Sequence, residues 1–224
     1  MASEPAIVIV TGAAGTLGGA VCERLAADGW AVAAIARGAA DTLPACGAYR
    51  LGRVDLTDEA GTEQAFAGLG GSIQGLVNAA GGFAWEKIAG GRKATWDRLY
   101  SLNLATALNA CRAALPLLRR GGAIVNVGAA AAGRAEAGMG AYAASKSAVL
   151  RLTESLAAEL KADGVRVNAV LPSIIDTQAN RADMSDADFG KWVKPEELAE
   201  VIAFLLSERA SGITGAAIPV TGRV

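Results

Sequence analysis

The chain contains no histidine among its 224 residues. This excludes a Ser-His-Asp hydrolase and a histidine-ligated metal site, and it leaves general acid work to Tyr, Lys, Asp or Glu. Cysteine is scarce as well: Cys22, Cys46 and Cys111 are scattered, and no C-x-x-C pair occurs. This usage suits a reducing compartment, so we expect a cytoplasmic protein without a metal site.

Long apolar runs and an excess of one charge are also missing. No stretch approaches the ~20 consecutive apolar residues of a membrane span. The opening MASEPAIVIVTG lacks the basic region of a secretory signal. The 21 basic and 22 acidic residues give a formal net charge of −1. We therefore expect neither a membrane nor a nucleic acid as partner, and a small-molecule substrate instead.

Short apolar runs alternate with helical patterns along the chain. Several runs are apolar throughout, as strands buried on both faces are. This order predicts an α/β fold in which a doubly wound, Rossmann-like parallel sheet of about seven strands carries helices on both faces. The predicted strands are 6–11, 31–36, 49–54, 75–79, 122–127, 165–171 and 216–220. The predicted helices are 17–28, about 58–68, 95–118, 142–162 and 195–207.

One segment breaks the regular alternation. Residues 176–194, DTQANRADMSDADFGKWVK, are polar and show no clear period. In open α/β sheets the ligand crevice lies beyond the carboxyl ends of the strands, where such a segment belongs. We interpret it as a lid or insertion within a single domain that covers residues 1–224.

A glycine-rich turn follows the first predicted strand. In TGAAGTLGG, Gly12, Gly15 and Gly18 recur every third residue, and Thr16 and Leu17 lie at the start of the next helix. Glycines allow a tight strand-to-helix turn and let backbone N–H groups approach a pyrophosphate. The alternative is a purely structural turn, because 28 glycines make chance spacing easy. The position after the first strand favours dinucleotide binding.

The end of the second strand bears on which dinucleotide binds. A site selective for NAD usually carries an acid about 20 residues after the glycines. Here the stretch reads AAIARG. The Arg37 guanidinium suits a 2′-phosphate, and Ala36 in place of an acid removes a repulsion. We expect NADP(H) to be preferred, with NAD(H) possible; the alternative is that Arg37 is an ordinary surface arginine.

Taken together, the motifs resemble those of the short-chain dehydrogenase/reductase family over essentially the whole chain. They are TGAAGTLG, Asp55-Leu56, Asn78-Ala79-Ala80-Gly81, Asn103, Tyr142-x-x-x-Lys146, and Pro172 followed by Thr177. The resemblance implies one nicotinamide dinucleotide-binding domain. It also implies a homodimer or homotetramer, since the long helices at 95–118 and 142–162 pair across a two-fold axis in that family.

The resemblance further implies roles for these residues. Asp55 and Leu56 would flank the adenine, the stretch 78–81 would stabilise the central sheet and line the cofactor, and residues 172–177 would cover the nicotinamide. The last group comprises Pro172, Ile175 and Thr177 among the candidate cofactor-binding residues.

The catalytic candidates are a tyrosine, a lysine and an asparagine. Lys146 lies one turn after Tyr142 on the same helix face, and a nearby ammonium lowers the pKa of a tyrosine. Tyr142 would then donate a proton near neutral pH. By resemblance, Lys146 would also hold the nicotinamide ribose, and Asn103 would anchor a water beside Lys146.

The family's catalytic serine is missing. It lies thirteen residues before the tyrosine, where this chain has Ala129, and no hydroxyl residue occurs between Asn126 and Tyr142. Losing one donor at an oxyanion typically costs ~10²–10³ in rate. The penalty matters for a plain ketone and less for a conjugated substrate that is already polarised.

The dihydropteridine reductase branch of the family resembles this chain most in its G-x-x-G-x-x-G turn, Gly81-Gly82, the hydroxyl-free alanine-rich loop and residues 171–192. That branch reduces quinonoid dihydropterins with tyrosine and lysine alone, although it generally favours NADH.

Two other functions stay open as alternatives: a ketoreductase of acyl thioesters or secondary alcohols, and a non-catalytic NAD(P)-binding sensor. Four apolar residues form either a stacking wall for a flat ring or part of the core or an interface: Trp85, Met139, Phe189 and Trp192.

Overall fold

The computed structural model describes residues 7–224, which form a seven-stranded sheet. The strands are β1 Ile7–Thr11, β2 Ala31–Ile35, β3 Tyr49–Leu51, β4 Ile73–Asn78, β5 Leu118–Val127, β6 Arg166–Pro172 and β7 Ala217–Val220. Their order is β3-β2-β1-β4-β5-β6-β7, and every neighbouring pair is parallel. The predicted fold class is confirmed. The first strand was predicted from Ala6, which lies outside the described residues.

Helices cover both faces of this sheet. They are α1 Thr16–Ala27, α2 Glu59–Ala67, α3 Lys93–Tyr100, α4 Thr106–Ala114, α5 Gly140–Glu159, α6 Gln178–Asp183 and α7 Pro195–Leu206. The helices α1 and α7 pack over one face, whereas α2, α4 and α5 pack over the other. Within residues 7–224, no helix combines the length and apolarity needed to cross a membrane.

The strands supply apolar side chains to two cores at once. In β1, Val8 and Val10 belong to the core beneath α1 and α7, while Ile7 and Ile9 belong to the core on the opposite face. Successive side chains of a strand point to opposite faces. Both faces are covered, so both sets must be apolar, which explains why the predicted strands lack polar alternation.

The strand order reverses between β1 and β4. The chain builds outward from β1 to β3 and then returns to place β4 on the other side of β1. Ligands of open α/β sheets bind at such a reversal, outside the carboxyl ends of the strands. The residues that follow β1, β2 and β4 therefore share one crevice.

The prediction of one helix over 95–118 was wrong in its middle and at its end. The helix α3 passes into a π-helical turn, Ser101–Ala105, before α4 begins. A 3₁₀ turn at Leu115–Leu117 follows α4, and Leu118 already pairs with Ile73 as part of β5. The 3₁₀ turn contains a proline, whose missing N–H cannot continue a helix. A π turn needs no glycine or proline, so the apolar pattern continues through it unmarked.

Two other predicted elements end early because of the backbone. The strand predicted over 49–54 stops at Leu51, since Arg53 has a φ of 59° in the left-handed region and cannot extend the strand. The helix predicted over 142–162 ends at Glu159, and Gly164, with a φ of 67°, then turns the chain toward β6.

The predicted lid, residues 176–194, is closed at its base. The Asp176 N–H donates to the Val193 carbonyl (2.8 Å), and the Val193 N–H donates to the Ile174 carbonyl (3.0 Å). Trp192 and Val193 are buried in the protein. The segment therefore leaves the body and returns at nearly the same point, and its last residues are part of the core.

Candidate active site

The glycines after β1 are required by close packing. Gly12 has a φ of +67°, and a Cβ at this position would lie 2.7 Å from the Ala80 nitrogen. A Cβ at Gly18 would overlap the Gly12 carbonyl. The Gly15 N–H donates to the Gly12 carbonyl (2.9 Å), and Gly15 precedes the first residue of α1. The turn thus draws the ends of β1 and β4 together and aims the start of α1 at the crevice.

The two residues that follow Gly15 differ in what they offer a ligand. Thr16 is exposed at the first position of α1. The Leu17 side chain is buried in the core beneath α1, as is the Gly18 residue. Of these predicted cofactor-binding residues, Leu17 and Gly18 therefore have only their backbone amides available, and N–H groups at a helix start are those that bind phosphate.

A cavity of about 410 Å³ occupies this crevice. Eight predicted residues line it: Gly12, Gly15, Arg37, Asp55, Leu56, Ala79, Ala80 and Gly81. Seven further residues complete its wall: Ala14, Ala36, Gly38, Val54, Thr57, Leu102 and Thr106. Most of these are chain neighbours of predicted residues, whereas Leu102 and Thr106 come from the π turn and α4, which sequence patterns do not place at the crevice.

The cavity carries one fixed anion and one exposed cation. The Asp55 carboxylate accepts from the Thr57 N–H (2.9 Å) and from the Thr57 hydroxyl (2.7 Å). These two bonds, followed by the attraction of Arg37, hold the pKa of Asp55 below its usual value. Arg37 is exposed at the end of β2. The carboxylate is therefore oriented by its own turn, while the guanidinium stays accessible to an anionic ligand.

Asn78 lies behind the wall of the cavity. Its Nδ2 donates to Asn126 Oδ1 (2.9 Å), which joins β4 to β5, and both side chains are buried. Such a bond satisfies polar groups that burial would otherwise make costly. The structure therefore places Asn78 where it stabilises the sheet, and Ala79, Ala80 and Gly81 where they face the cavity.

Tyr142 and Lys146 lie near the start of α5. The Lys146 ammonium is buried and donates to the Val127 carbonyl (2.7 Å); burial lowers its pKa to about 8. Burial raises the pKa of Tyr142 to about 12. The pKa of Tyr142 therefore shifts upward, opposite to the predicted direction, and the cause of the shift is desolvation.

Asn103 lies within the π turn and is fully engaged. Its Oδ1 accepts from the Gly82 N–H (2.8 Å), and its Nδ2 donates to the Gly82 carbonyl (3.0 Å) and to the Ser145 hydroxyl (2.9 Å). The side chain thus holds Gly82, and the water predicted beside Lys146 stays a prediction. π turns are frequent at functional sites.

Gly81 connects the cavity to the catalytic candidates. A Cβ at Gly81 would lie 2.7 Å from Asn103 Oδ1 and 3.4 Å from Lys146 Nζ. Gly81 also lines the cavity. The structure therefore brings Asn103, Lys146 and Gly81 together, and only a residue without a side chain fits between them.

No hydroxyl takes the place of the missing serine. Ala129 is buried and precedes a 3₁₀ turn at Ala130–Ala132, which α5 holds through the Ser147 hydroxyl and the Ala132 carbonyl (2.6 Å). The nearby Ser145 hydroxyl donates to the Tyr142 carbonyl (2.7 Å) while it accepts from Asn103. Both of its hydrogen-bonding roles are thus filled inside the protein.

The predicted nicotinamide cover lies at the end of β6. Pro172 is buried, Ile175 pairs with Val193, and the Thr177 hydroxyl accepts from the Asn180 N–H (3.1 Å) as the N-cap of α6. None of these three is among the residues that line the cavity. The structure gives them roles in holding the segment 176–194, and their contact with a cofactor stays a prediction.

The four predicted wall residues fall into two groups. Phe189 and Trp192 pack on each other in the segment 176–194, with ring centroids 4.8 Å apart. Trp85 instead lies against Gly138, next to Met139. The aromatic residue that contacts Tyr142 is Phe83, with ring centroids 5.0 Å apart. Sequence reasoning missed Phe83, although it directly follows the Gly81-Gly82 pair.

Comparison with known proteins agrees with this architecture. A family model described as enoyl-(acyl carrier protein) reductase matches residues 12–222. L-xylulose reductase of Bos taurus is 33% identical over 96% of this chain and 94% of its own. Inactive 2-(S)-hydroxypropyl-CoM dehydrogenase 2 of Xanthobacter autotrophicus is 37% identical over 75% of this chain and 81% of its own. A solved blue fluorescent protein from a metagenomic library, in complex with NADPH, has a TM-score of 0.87 and 30% identity over 97% of each chain.

Proposed function

Because the chain belongs to the short-chain dehydrogenase/reductase family, we propose that it is an NADP(H)-preferring reductase of a small, electron-poor conjugated substrate. Its chemistry would be similar to that of the dihydropteridine reductases. One observation carries the proposal: Lys146 lies beside Gly81 of the cavity wall and Tyr142 lies one turn before it on α5, while Ala129 offers no hydroxyl and the Ser145 hydroxyl is engaged by Asn103 and the Tyr142 carbonyl.

Tyr142 supplies the proton in this proposal. A tyrosine with a pKa of about 12 stays protonated throughout the neutral range. It is therefore available as a general acid at physiological pH, and it is a poor base for the reverse direction.

The residues around the crevice fit a nicotinamide dinucleotide, which supplies the hydride when bound. Gly12 and Gly15 line the cavity directly before α1 begins, so the backbone N–H groups at the start of this helix are available to a pyrophosphate. Arg37 lines the cavity, and in this proposal its guanidinium binds the 2′-phosphate, which a carboxylate at Ala36 would repel. Lys146, with a pKa of about 8, is largely cationic at neutral pH and is a donor for the ribose hydroxyls.

The absence of a serine hydroxyl selects the substrate. A plain carbonyl needs a second donor as negative charge develops on its oxygen, and removing one donor typically costs ~10²–10³ in rate. A quinonoid imine, an enone or an iminium is already polarised by conjugation. Tyr142 alone is then sufficient as the proton donor.

A ketoreductase is the second candidate. It is favoured by the likeness to L-xylulose reductase, whose name describes reduction of a carbonyl sugar. A third candidate, a non-catalytic NAD(P)-binding sensor, gains weight from the relative named as inactive. The chain nevertheless retains Tyr142, and it retains Asn103 and Lys146 beside Gly81 of the cavity wall, which favours an enzyme.

We also propose that residues 1–224 are one domain, with 176–194 as a lid, working as a homodimer or homotetramer in the cytoplasm. The three cysteines are free thiols, as a reducing compartment requires. Trp96, Tyr100 and Leu108 expose apolar surface on α3 and α4, which suits a subunit interface.

A paired assay tests the function. Purified protein is given NADPH or NADH together with either quinonoid dihydropterin or a panel of simple ketones. We expect oxidation of NADPH with the pterin. Turnover of ketones alone would establish the ketoreductase instead, and cofactor binding without turnover of any substrate would establish the sensor.

Ala129→Ser tests the role of the missing hydroxyl. The ketoreductase alternative predicts that the new hydroxyl raises ketone turnover toward the ~10²-fold that one oxyanion donor is worth, and ketone turnover that stays unchanged or falls would remove its main support. Turnover of the already polarised pterin should change little. Ala131→Ser, in the adjoining 3₁₀ turn, serves as the matched control. An equal rise with pterin and ketone would contradict the argument from substrate polarisation.

A further inference from the structure

Phe83 is an aromatic ring left largely open beside the proposed proton donor. Its ring meets the Tyr142 ring edge to face, at 5.0 Å and an interplanar angle of 80°. Even so, 55% of the residue is exposed. An edge-to-face contact covers only part of a ring, so an apolar face of Phe83 remains in contact with water.

The loop that carries Phe83 is fixed at both ends. On one side, Asn103 binds both the N–H and the carbonyl of Gly82. On the other side, the Glu86 N–H donates to the Gly138 carbonyl (2.9 Å), and the Trp85 indole occupies the space where a Cβ of Gly138 would lie. Phe83 is therefore not a mobile surface residue, because its backbone is held one residue before it and three residues after it.

We propose that Phe83 is the specificity-determining residue of the site: its open face stacks on the ring of a planar conjugated substrate, and Asn103 is the positioning residue that holds it there through Gly82. This inference rests on the proposed function and names the residue that selects planar substrates. A flat ring stacked on Phe83 lies next to Tyr142, whereas an aliphatic ketone gains little from the same surface.

The geometry favours this role over a purely structural one. A phenylalanine that served the core would be buried, as Phe66 is. A phenylalanine at a random surface position would not be held against the Tyr142 ring by a side-chain clamp from another helix. Stacked and edge-to-face aromatic contacts strengthen binding beyond what the buried apolar surface contributes, and they require no hydrogen bond to the substrate.

The first test compares Phe83→Leu, Phe83→Trp and Phe204→Ala. Phe204, on α7, packs beneath Arg209 and serves as the aromatic control. We expect Phe83→Leu to raise KM for quinonoid dihydropterin about tenfold with little change in kcat. KM for an aliphatic ketone should stay the same. Phe83→Trp should retain the wild-type KM, and Phe204→Ala should leave the pterin-to-ketone ratio unchanged.

A binding measurement separates this inference from the proposed function. Oxidised pterin, which the enzyme need not reduce, is titrated into wild type and Phe83→Leu in the presence of NADP. Turnover of dihydropterin with unchanged KM in Phe83→Leu overturns the inference alone. Phe83-dependent binding of pterin without any turnover overturns the proposed function alone. Neither binding nor turnover of pterin overturns both.

The positioning role of Asn103 is tested by coupling. If Asn103 acts through Phe83, Asn103→Ala raises KM for the pterin, and adding it to Phe83→Leu raises KM no further, since one interaction is lost only once. Asn103→Asp, which keeps the acceptor for the Gly82 N–H, should recover part of the loss. Additive effects in the double variant, or a fall in kcat at constant KM, would overturn the positioning role.

Discussion

The two ends of the crevice are built in different ways. At the glycine end, Gly12 and Gly18 leave out side chains so that backbone atoms can meet, and the ligand surface consists of amide groups and two charged rims. At the tyrosine end, polar side chains are held by hydrogen bonds within the protein: Asn103 by the Gly82 backbone and Ser145, and Lys146 through one bond to the Val127 carbonyl. One end is shaped by steric exclusion, and the other by a hydrogen-bonded frame that leaves Tyr142 as its free polar group.

This contrast implies that the two ends can be disabled separately. A change at the glycine end should affect cofactor affinity and stability, because backbone packing serves both. Loss of the Tyr142 hydroxyl should affect turnover while the cofactor still binds, whereas a change at Lys146 should affect both, because its ammonium is also the proposed donor to the cofactor ribose. The following changes test that separation.

The largest effect is expected from Tyr142→Phe. Removing the hydroxyl deletes the general acid, and such a group typically contributes ~10²–10⁴ in rate. The ring is retained, so its contact with Phe83 should persist. We expect kcat to fall by about 10³-fold with the NADPH dissociation constant unchanged, as measured by steady-state kinetics and by fluorescence titration of bound NADPH. A matching loss of NADPH affinity would show that the two ends are not separate.

Gly12→Ala is the corresponding change at the other end. The new Cβ would lie 2.7 Å from the Ala80 nitrogen at a positive φ, so both sterics and backbone strain oppose it. We expect the free energy of unfolding to fall by about 2 kcal/mol or more, and NADPH affinity to fall with it. Urea unfolding measures the first quantity. Gly71→Ala is the control, since a Cβ there meets nothing within 4 Å; equal destabilisation by both would remove the steric argument.

Arg37→Gln should have a smaller and more selective effect. Hydrogen bonds to charged groups are worth about 1.5–3 kcal/mol, so the preference for NADPH over NADH should fall by about tenfold or more. The dissociation constants of both cofactors report this ratio. Arg98→Gln, at an exposed position of α3, should leave the ratio unchanged. A uniform loss of both cofactors in Arg37→Gln would mean that Arg37 does not distinguish the 2′-phosphate.

The pH response of Lys146 gives the smallest effect. Its pKa is about 8 in the folded chain against an ordinary value of 10.5, so above pH 8 the unfolded chain binds more protons than the folded one. The contribution of Lys146 to the free energy of unfolding should therefore rise between pH 8 and pH 10.5. The urea midpoint of the wild type should rise from pH 8 to pH 10 by more than the midpoint of Lys146→Met does. A parallel response in both proteins would contradict the depressed pKa.

The same lysine should appear in the kinetics of the free enzyme. The profile of kcat/KM for NADPH reports groups that titrate before binding. It should decline above about pH 8 as Lys146 loses its charge. Lys146→Arg keeps a cation across this range and should shift the decline to higher pH.

How much the sequence predicts also differs between the two ends. Strand and helix order follows from apolar patterns, because each strand must be apolar on both covered faces, and this part was confirmed. The glycine turn is recognisable because only glycine fits at Gly12 and Gly18. Eight of the predicted cofactor residues at the ends of β1 to β4 accordingly line one cavity, whereas those after β6 do not line it.

The tyrosine end depends on partners that are distant in the chain. The pKa of Tyr142 follows from how deeply the fold buries it, and the i, i+4 spacing to Lys146 contains no such information. Asn103 finds Gly82, and Phe83 finds Tyr142, only after α3, the π turn and α5 have packed. The prediction of a lowered tyrosine pKa failed for this reason, and Phe83 was missed for the same reason.

The π turn at Ser101–Ala105 makes the length of one helix a part of the site. Each residue advances an α-helix by about 100°, so a regular helix with one residue fewer would present a different face of α4 to the sheet or a different face of α3 to solvent. Deleting a single residue here would shorten the chain without removing any reactive group. If the deleted residue lay between Asn103 and Thr106, these two side chains would be two positions apart instead of three, and Asn103 would turn relative to Thr106. The hydrogen bonds around Gly82 would then lose their alignment with the wall of the cavity. Register along a helix, as much as the identity of any side chain, therefore specifies this site.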